Sequence, residues 1–191
     1  MVASSSWFQI WEDGSLVIRR LFHLHLFLIV LGTASATAQG FDPLPMRREY
    51  EGENLRKASP VYYYPESGRA EIQTVIQGGL IFDAKGQKLT SYLNQSSLYV
   101  ITPEGELFIS RASIHGLIHH SSLSGGRPLL AAGQIVVKDG VVVAIDLQSG
   151  HYQFPERYSG FLSSWFGARG VSLPGIGFPG CAGFLKSVDK I

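Results

Sequence analysis

The chain has 191 residues, a formal net charge of +1 and a single cysteine. This near-neutral balance excludes the basic footprint of a nucleic-acid-binding domain and the polybasic patch of a membrane-surface protein. One cysteine can form neither an internal disulfide nor a cysteine-based zinc site. Cys181 is therefore expected to be buried, with a free thiol able to pair between chains as the alternative.

The N-terminal region has the pattern of an export signal. Residues 21–31 form an apolar run behind two arginines, and Ala36-Thr37-Ala38 supplies the small residues that signal peptidase accepts. The run is shorter than the roughly 20 residues that a membrane-spanning helix needs. The sequence therefore predicts a signal peptide over residues 1–38, no membrane anchor after its cleavage, and a secreted or periplasmic location.

The remainder is about 150 residues long, which is the size of one domain. Residues 1–38 contain two arginines, one glutamate and one aspartate, so the net charge after cleavage, 14 minus 13, is still +1. We expect an extended lead-in over residues 39–60, a single β-rich domain over residues 61–166 and a Gly/Pro-rich tail over residues 167–191.

Two hairpins dominate the expected secondary structure. Residues 97–102 and 107–110 are rich in β-branched and aromatic residues and flank a Pro-Glu-Gly-Glu turn. Residues 134–137 and 141–145 flank Lys-Asp-Gly, whose Asp-Gly pair favours the positive φ angles of a tight hairpin. The segment 141–145 is almost entirely apolar, which predicts a central strand that is covered on both faces.

One helix is expected late in the chain, over residues 155–166, with Pro155 in its first turn. Its apolar residues recur at helical spacing and share one face: Tyr158, Phe161, Leu162 and Trp165. Together with the hairpins, this predicts a mostly β fold, either a small barrel or a curled antiparallel sheet, closed by one late helix. An α+β fold is the alternative.

Three short segments carry the remaining information: His119 to Leu123, Ala131 to Gln134 and Ser149 to Tyr152. In order and spacing they resemble the C-terminal half of the plant IQ-motif calmodulin-binding proteins, and also bacterial secreted and toxin-like proteins of poorly defined activity. Gln134 stands where those families have the glutamate of Ala-Gly-Glu. The sequence contains no IQ motif, so the resemblance does not imply calmodulin binding.

The hairpin between the outer two segments is expected to bring His120 and His151 together. A histidine within hydrogen-bond reach of a serine can activate it as a nucleophile. A His/Tyr pair with a serine can instead hold a nucleotide or a sugar. Some ADP-ribosyltransferases use a histidine, a tyrosine and a late carboxylate in this way, and Glu156 would be that carboxylate in this chain. The catalytic candidates are His120, His151, Ser121, Ser122 and Tyr152.

A structural role for the same residues is the alternative, because serine and histidine beside glycine often cap turns and bind nearby backbone. Four histidines lie beyond residue 38 and could supply nitrogen ligands, but acidic residues are sparse around them. No metal site is therefore expected, and no cofactor can be assigned.

Two functions remain after these exclusions. The first is an exported bacterial effector or toxin-like enzyme that uses the His/Ser/Tyr cluster and has a cognate immunity protein or target protein as its partner. The second is a non-catalytic exported module that binds a ligand or a protein. No nucleic-acid partner is expected for either.

Overall fold

The structure is a computed structural model that describes residues 40–58, 60–92, 95–111, 114 and 116–177. The predicted signal peptide over residues 1–38, the end of the tail and Cys181 lie outside the described residues.

The described chain forms one antiparallel sheet with three helices on it. Its strands are β1 (Gln73–Gln77), β2 (Leu80–Phe82), β3 (Ser97–Ile101), β4 (Leu107–Ser110), β5 (Ala131–Lys138) and β6 (Val141–Ile145). The sheet order is β2-β1-β4-β3-β5-β6. The helices are α1 (Glu66–Ile72), α2 (His120–Ser124) and α3 (Tyr158–Gly167).

The two ends of the sheet approach each other, so the sheet is nearly closed into a barrel. The backbone N–H of Ile81 in β2 donates to the carbonyl of Gly140, 2.8 Å away, in the turn between β5 and β6. The N–H of Gly140 donates in turn to the carbonyl of Leu89 at 2.8 Å. Closure pairs backbone groups that an open sheet would leave at an edge. The predicted mostly β fold with one late helix is confirmed.

The β5–β6 hairpin has the predicted turn, with φ of 50° at Asp139 and 84° at Gly140. The prediction that residues 141–145 form a central strand is wrong. β6 stands at one end of the sheet order, and Val141 is 48% exposed. The tail pairs with the end of this strand, because the N–H of Gly177 donates to the carbonyl of Ile145 at 2.9 Å.

The late helix α3 buries the predicted face, formed by Tyr158, Phe161, Leu162 and Trp165. The hydroxyl of Tyr158 donates to the carbonyl of Asp42 at 2.7 Å, and the ring of Phe41 packs on the rings of Tyr158 and Phe161. The start of the predicted lead-in is thereby fixed to the helix. The domain boundaries given from the sequence stay a prediction.

Two segments with a local β preference form no strand where that preference lies. Glu71 and Ile72 begin an alternating run but end α1, and the β-favouring run 61–64 forms no strand. That run binds the chain around α2, since Tyr62 N–H donates to the carbonyl of Leu117 at 2.9 Å and Tyr64 N–H to that of Ser122 at 3.0 Å. Tertiary contacts thus override a local β preference.

β5 passes very close to the chain that leaves β6. A Cβ atom on Gly133 would lie 2.1 Å from the backbone oxygen of Asp146 and 2.7 Å from its Oδ1. The Tyr99 hydroxyl donates to the same backbone oxygen at 2.6 Å, and Asp146 Oδ1 accepts from Gln134 N–H at 2.6 Å. The glycine of the Ala-Gly pair is therefore explained by close backbone approach.

Candidate functional site

A buried carboxylate lies at the centre of the candidate site. Glu53 is only 2% exposed, although it belongs to the polar segment that the sequence presents as a lead-in. It begins a short 3-10 turn, Glu53–Leu55, immediately after Gly52, whose φ of 68° is one that glycine adopts readily. The turn directs the carboxylate inward, beneath α2 and the loop before α3.

Three side chains donate hydrogen bonds to this carboxylate. The hydroxyl of Ser121 lies 2.5 Å from Oε1, that of Tyr63 lies 3.3 Å from the same oxygen, and Nε2 of His151 lies 2.8 Å from Oε2. Burial, followed by the charge of Glu53, raises the pKa of the Tyr63 phenol, which therefore stays a donor. A buried charge is tolerated only with partners of this kind.

Glu53 fixes the orientation of His151. Because a carboxylate only accepts, Nε2 carries the proton and Nδ1 is left as the free ring nitrogen. The rings of Tyr50 and His119 pack on His151 with centroids 4.1 and 4.5 Å away. Among the described residues no hydrogen bond reaches Nδ1, although His151 itself is only 7% exposed.

His151 lines a cleft of about 650 Å³. Its charged and polar lining includes Glu53, Arg56, His119, His120, Gln148 and His151. We call this the Glu53–His151 cleft. Its size lies within the range of about 300–1,000 Å³ that is typical of small-molecule sites.

His120 reaches the same cleft but serves a different purpose. Its Nε2–H donates to the carbonyl of Gly133 at 2.9 Å, which leaves Nδ1 to accept from the Ser149 hydroxyl at 3.0 Å. Burial lowers the pKa of His120 to about 4, so the ring is neutral and a weak base at neutral pH. The Ser149–His120 pair is better suited to holding the loop than to activating a nucleophile.

Two more predicted site residues lie in structural hydrogen bonds. The Ser122 hydroxyl accepts from the N–H of His119 at 3.0 Å, at the start of α2. The Tyr152 hydroxyl donates to the carbonyl of Arg127 at 2.9 Å and lies 2.8 Å from the Ser124 hydroxyl. Burial raises the pKa of Tyr152 to about 12, which keeps it protonated.

The structure thus brings His120, His151 and Ser121 to one place, with Ser121 bound to a carboxylate. The hydroxyls of Ser122 and Tyr152 form hydrogen bonds outside the cleft, with His119 N–H and with Arg127 and Ser124. Glu156 is exposed and does not line the cleft. The catalytic roles of the five candidates stay a prediction. Within the described residues, no group of three or more His, Cys, Asp or Glu is placed to hold a metal ion. His115 lies outside those residues.

Sequence reasoning missed Glu53. It is one of three glutamates at alternate positions in a polar stretch, with Glu49 and Glu51, and nothing local distinguishes it from a solvated residue. Gly52 indicates a turn, but not that the next side chain is buried. Glu53 becomes a buried hydrogen-bond acceptor only through tertiary contacts such as that with His151, which lies 98 residues later in the chain.

The three segments at this site fall within one family match. Residues 68–158 match the IQ motif-containing protein middle domain. The chain is also similar to IQ domain-containing proteins of Arabidopsis thaliana. It is 24% identical to IQM1 over 68% of the chain, 28% identical to IQM5 over 68%, and 32% identical to IQM2 over 53%. No solved structure matches the chain.

The chain spans less than a third of the curated relatives it matches: 28% of IQM1, 28% of IQM5 and 18% of IQM2. The matched range begins after Glu53, so the carboxylate of the cleft lies outside it. The part of the resemblance that concerns plant IQ-motif proteins is confirmed.

The plant relatives overturn the bacterial interpretation. The predicted exported bacterial effector or toxin-like enzyme is wrong, and so is the export of the binding module named as its alternative, because the matches are to plant IQ domain-containing proteins. The secreted or periplasmic location is wrong for the same reason, and an immunity protein has no support as a partner. No helix in the described part of the chain is long and apolar enough to cross a bilayer.

Two buried groups near the cleft have opposite effects on stability in mild acid. Burial lowers the pKa of His120 from 6.5 to about 4, so its contribution is complete above pH 6.5 and is lost as the pH falls toward 4. Burial raises the pKa of Asp146 from 3.8 to about 6, against the effect of hydrogen bonds from Gln134 and Gln148. Its contribution is complete below pH 3.8 and is lost as the pH rises through 6.

Asp146→Asn removes one of these two effects while keeping an oxygen that accepts from the N–H groups of Gln134 and Gln148. Between pH 6.5 and pH 4 we expect the variant to lose about 2 kcal/mol more stability than the wild type, because one pKa unit corresponds to about 1.4 kcal/mol and most of the shift of Asp146 falls within this range. Urea denaturation across this pH range measures the difference. Parallel pH profiles for the two proteins would contradict the assignment.

Proposed function

We propose that this domain binds a small anionic ligand in the Glu53–His151 cleft. The observation that carries the proposal is the buried carboxylate of Glu53, which holds Nε2 of His151, a side chain that lines the cleft. A ring fixed by a hydrogen bond and in contact with two other rings loses little conformational entropy when a ligand binds.

The charges of the cleft favour an anion. Glu53, the carboxylate of the lining, already accepts from three side chains. The other ionisable groups of the lining are Arg56, His119, His120, His151 and Tyr50, none of which is a carboxylic acid. An anion at Nδ1 would accept a charge-assisted hydrogen bond from the protonated imidazole ring.

Calmodulin binding is not part of the proposal, because the match is to the middle domain and the sequence contains no IQ motif.

The test is a titration of the domain with inorganic phosphate and with succinate, followed by thermal shift and calorimetry, with glycerol as the uncharged comparison. We expect the anions to raise the melting temperature of the wild type. His151→Gln should weaken binding about tenfold or more, the expected effect of losing a hydrogen bond to a charged group. Arg48→Gln, a change at a residue outside the cleft lining, serves as the matched control.

Three outcomes would overturn the proposal. The first is that neither anion binds at millimolar concentration. The second is that glycerol stabilises the domain as much as the anions do. The third is that folded His151→Gln binds an anion as tightly as the wild type does.

A further inference from the structure

A second cavity, of about 350 Å³, lies apart from the Glu53–His151 cleft and shares no lining residue with it. Its walls are apolar and rigid, since they are formed by Pro43, Pro103, Pro128 and Leu129. Proline has no backbone N–H and its ring fixes φ, so these walls offer neither donors nor much freedom. We call this cavity the proline pocket.

Backbone hydrogen bonds hold each of the three segments that form the pocket. Leu44 and Leu129 exchange two hydrogen bonds, of 2.8 and 3.0 Å, which join the first segment to the third. The β3–β4 turn is closed by the N–H of Gly105, which donates to the carbonyl of Thr102 at 2.9 Å. The pocket is therefore largely formed before any ligand arrives, as small-molecule sites usually are.

Two exposed side chains of opposite charge line the same pocket from different segments, Glu104 from the β3–β4 turn and Arg127 from the loop after α2. The Nε–H of Arg127 donates to the carbonyl of Ser124 at 3.0 Å, which positions the guanidinium. In the described part of the chain its terminal nitrogens donate no hydrogen bond. Glu104 carries a charge at neutral pH, because its own backbone N–H and then the Thr102 hydroxyl lower the pKa of its carboxyl.

We propose that the proline pocket binds a free α-amino acid with an apolar or aromatic side chain. The apolar walls receive the side chain, Arg127 receives the carboxylate and Glu104 receives the ammonium group. A fork of guanidinium N–H groups matches a carboxylate in geometry. A simple apolar acid would be repelled by Glu104 and a simple apolar amine by Arg127, so the pair of charges selects a zwitterion.

Calorimetric titrations with phenylalanine, tryptophan, tyrosine and leucine test the proposal, together with two blocked forms of phenylalanine. N-acetylphenylalanine lacks the ammonium group, and phenylalaninamide lacks the carboxylate. We expect at least one free amino acid to bind, and each blocked form of phenylalanine to bind about tenfold more weakly than phenylalanine.

The two charged residues should account for this discrimination separately. Arg127→Gln should abolish the preference for phenylalanine over phenylalaninamide, and Glu104→Gln should abolish its preference over N-acetylphenylalanine. Both side chains are exposed, so the variants are expected to fold, and circular dichroism checks this. His151→Gln should leave amino-acid binding unchanged, which separates this site from the anion site.

The proposal is overturned if none of the four amino acids binds at millimolar concentration. It is also overturned if the blocked forms bind as well as phenylalanine does, or if the folded Arg127→Gln and Glu104→Gln variants keep the full discrimination.

Discussion

Gly133→Ala is expected to destabilise the domain by about 3 kcal/mol or more, and to leave much of the protein unfolded at 37 °C. The added Cβ would lie 2.1 Å from the backbone oxygen of Asp146 and 2.8 Å from its carbonyl carbon. These are backbone atoms on a neighbouring segment, so no rotation of a side chain relieves the overlap. Urea denaturation of the variant, followed by circular dichroism, measures the loss.

Gly160→Ala is the matched control for this change. Gly160 lies inside α3, and a Cβ there would meet nothing within 4 Å. Alanine is the better helix former by about 1 kcal/mol, so this variant should be as stable as the wild type or more stable. If Gly133→Ala loses less than about 1 kcal/mol, β5 and Asp146 do not approach as closely as the structure has them.

Glu53→Ala is expected to cost about 3–5 kcal/mol, the range measured when one partner of a buried ion pair or charged network is removed. The substitution leaves the Ser121 hydroxyl, the Tyr63 hydroxyl and the Nε2–H of His151 without their shared acceptor. It also releases the orientation of His151, so anion binding in the cleft should weaken along with stability. Urea denaturation measures the first effect and calorimetry with phosphate the second.

Glu51→Ala tests whether this cost belongs to position 53 alone. Glu51 is exposed and lies two residues earlier in the same segment, so its loss should change stability by less than about 0.5 kcal/mol. Similar small effects at both positions would mean that Glu53 is solvated and does not hold His151 in the cleft.

The match to the plant middle domain changes what the three segments mean for function. His120, Ser122 and Tyr152 hold α2, β5 and the loop at residues 149–152 in place through hydrogen bonds to backbone. Such residues can recur between distant proteins because the fold requires them, without a shared reaction. The bacterial toxin-like interpretation assumed a reaction from this pattern, and the similarity to plant IQ domain-containing proteins contradicts it.

The sequence by itself determined the strands and turns whose cause is local. Asp139-Gly140 sets a hairpin because both residues adopt positive φ, and the apolar face of α3 follows from its helical spacing. The two hairpins, the late helix and the mostly β class all depend on such short-range signals. They could be predicted without knowledge of any distant contact.

Only the tertiary structure decided the features that depend on distant partners. Glu53 is buried because His151, Ser121 and Tyr63 converge on it, and no pattern around residue 53 encodes that convergence. β6 lies at the end of the sheet because the tail, and not another strand, pairs beside it at Gly177. In both cases the free energy of burial and hydrogen bonding with residues far along the chain outweighs the weak local preference of the segment.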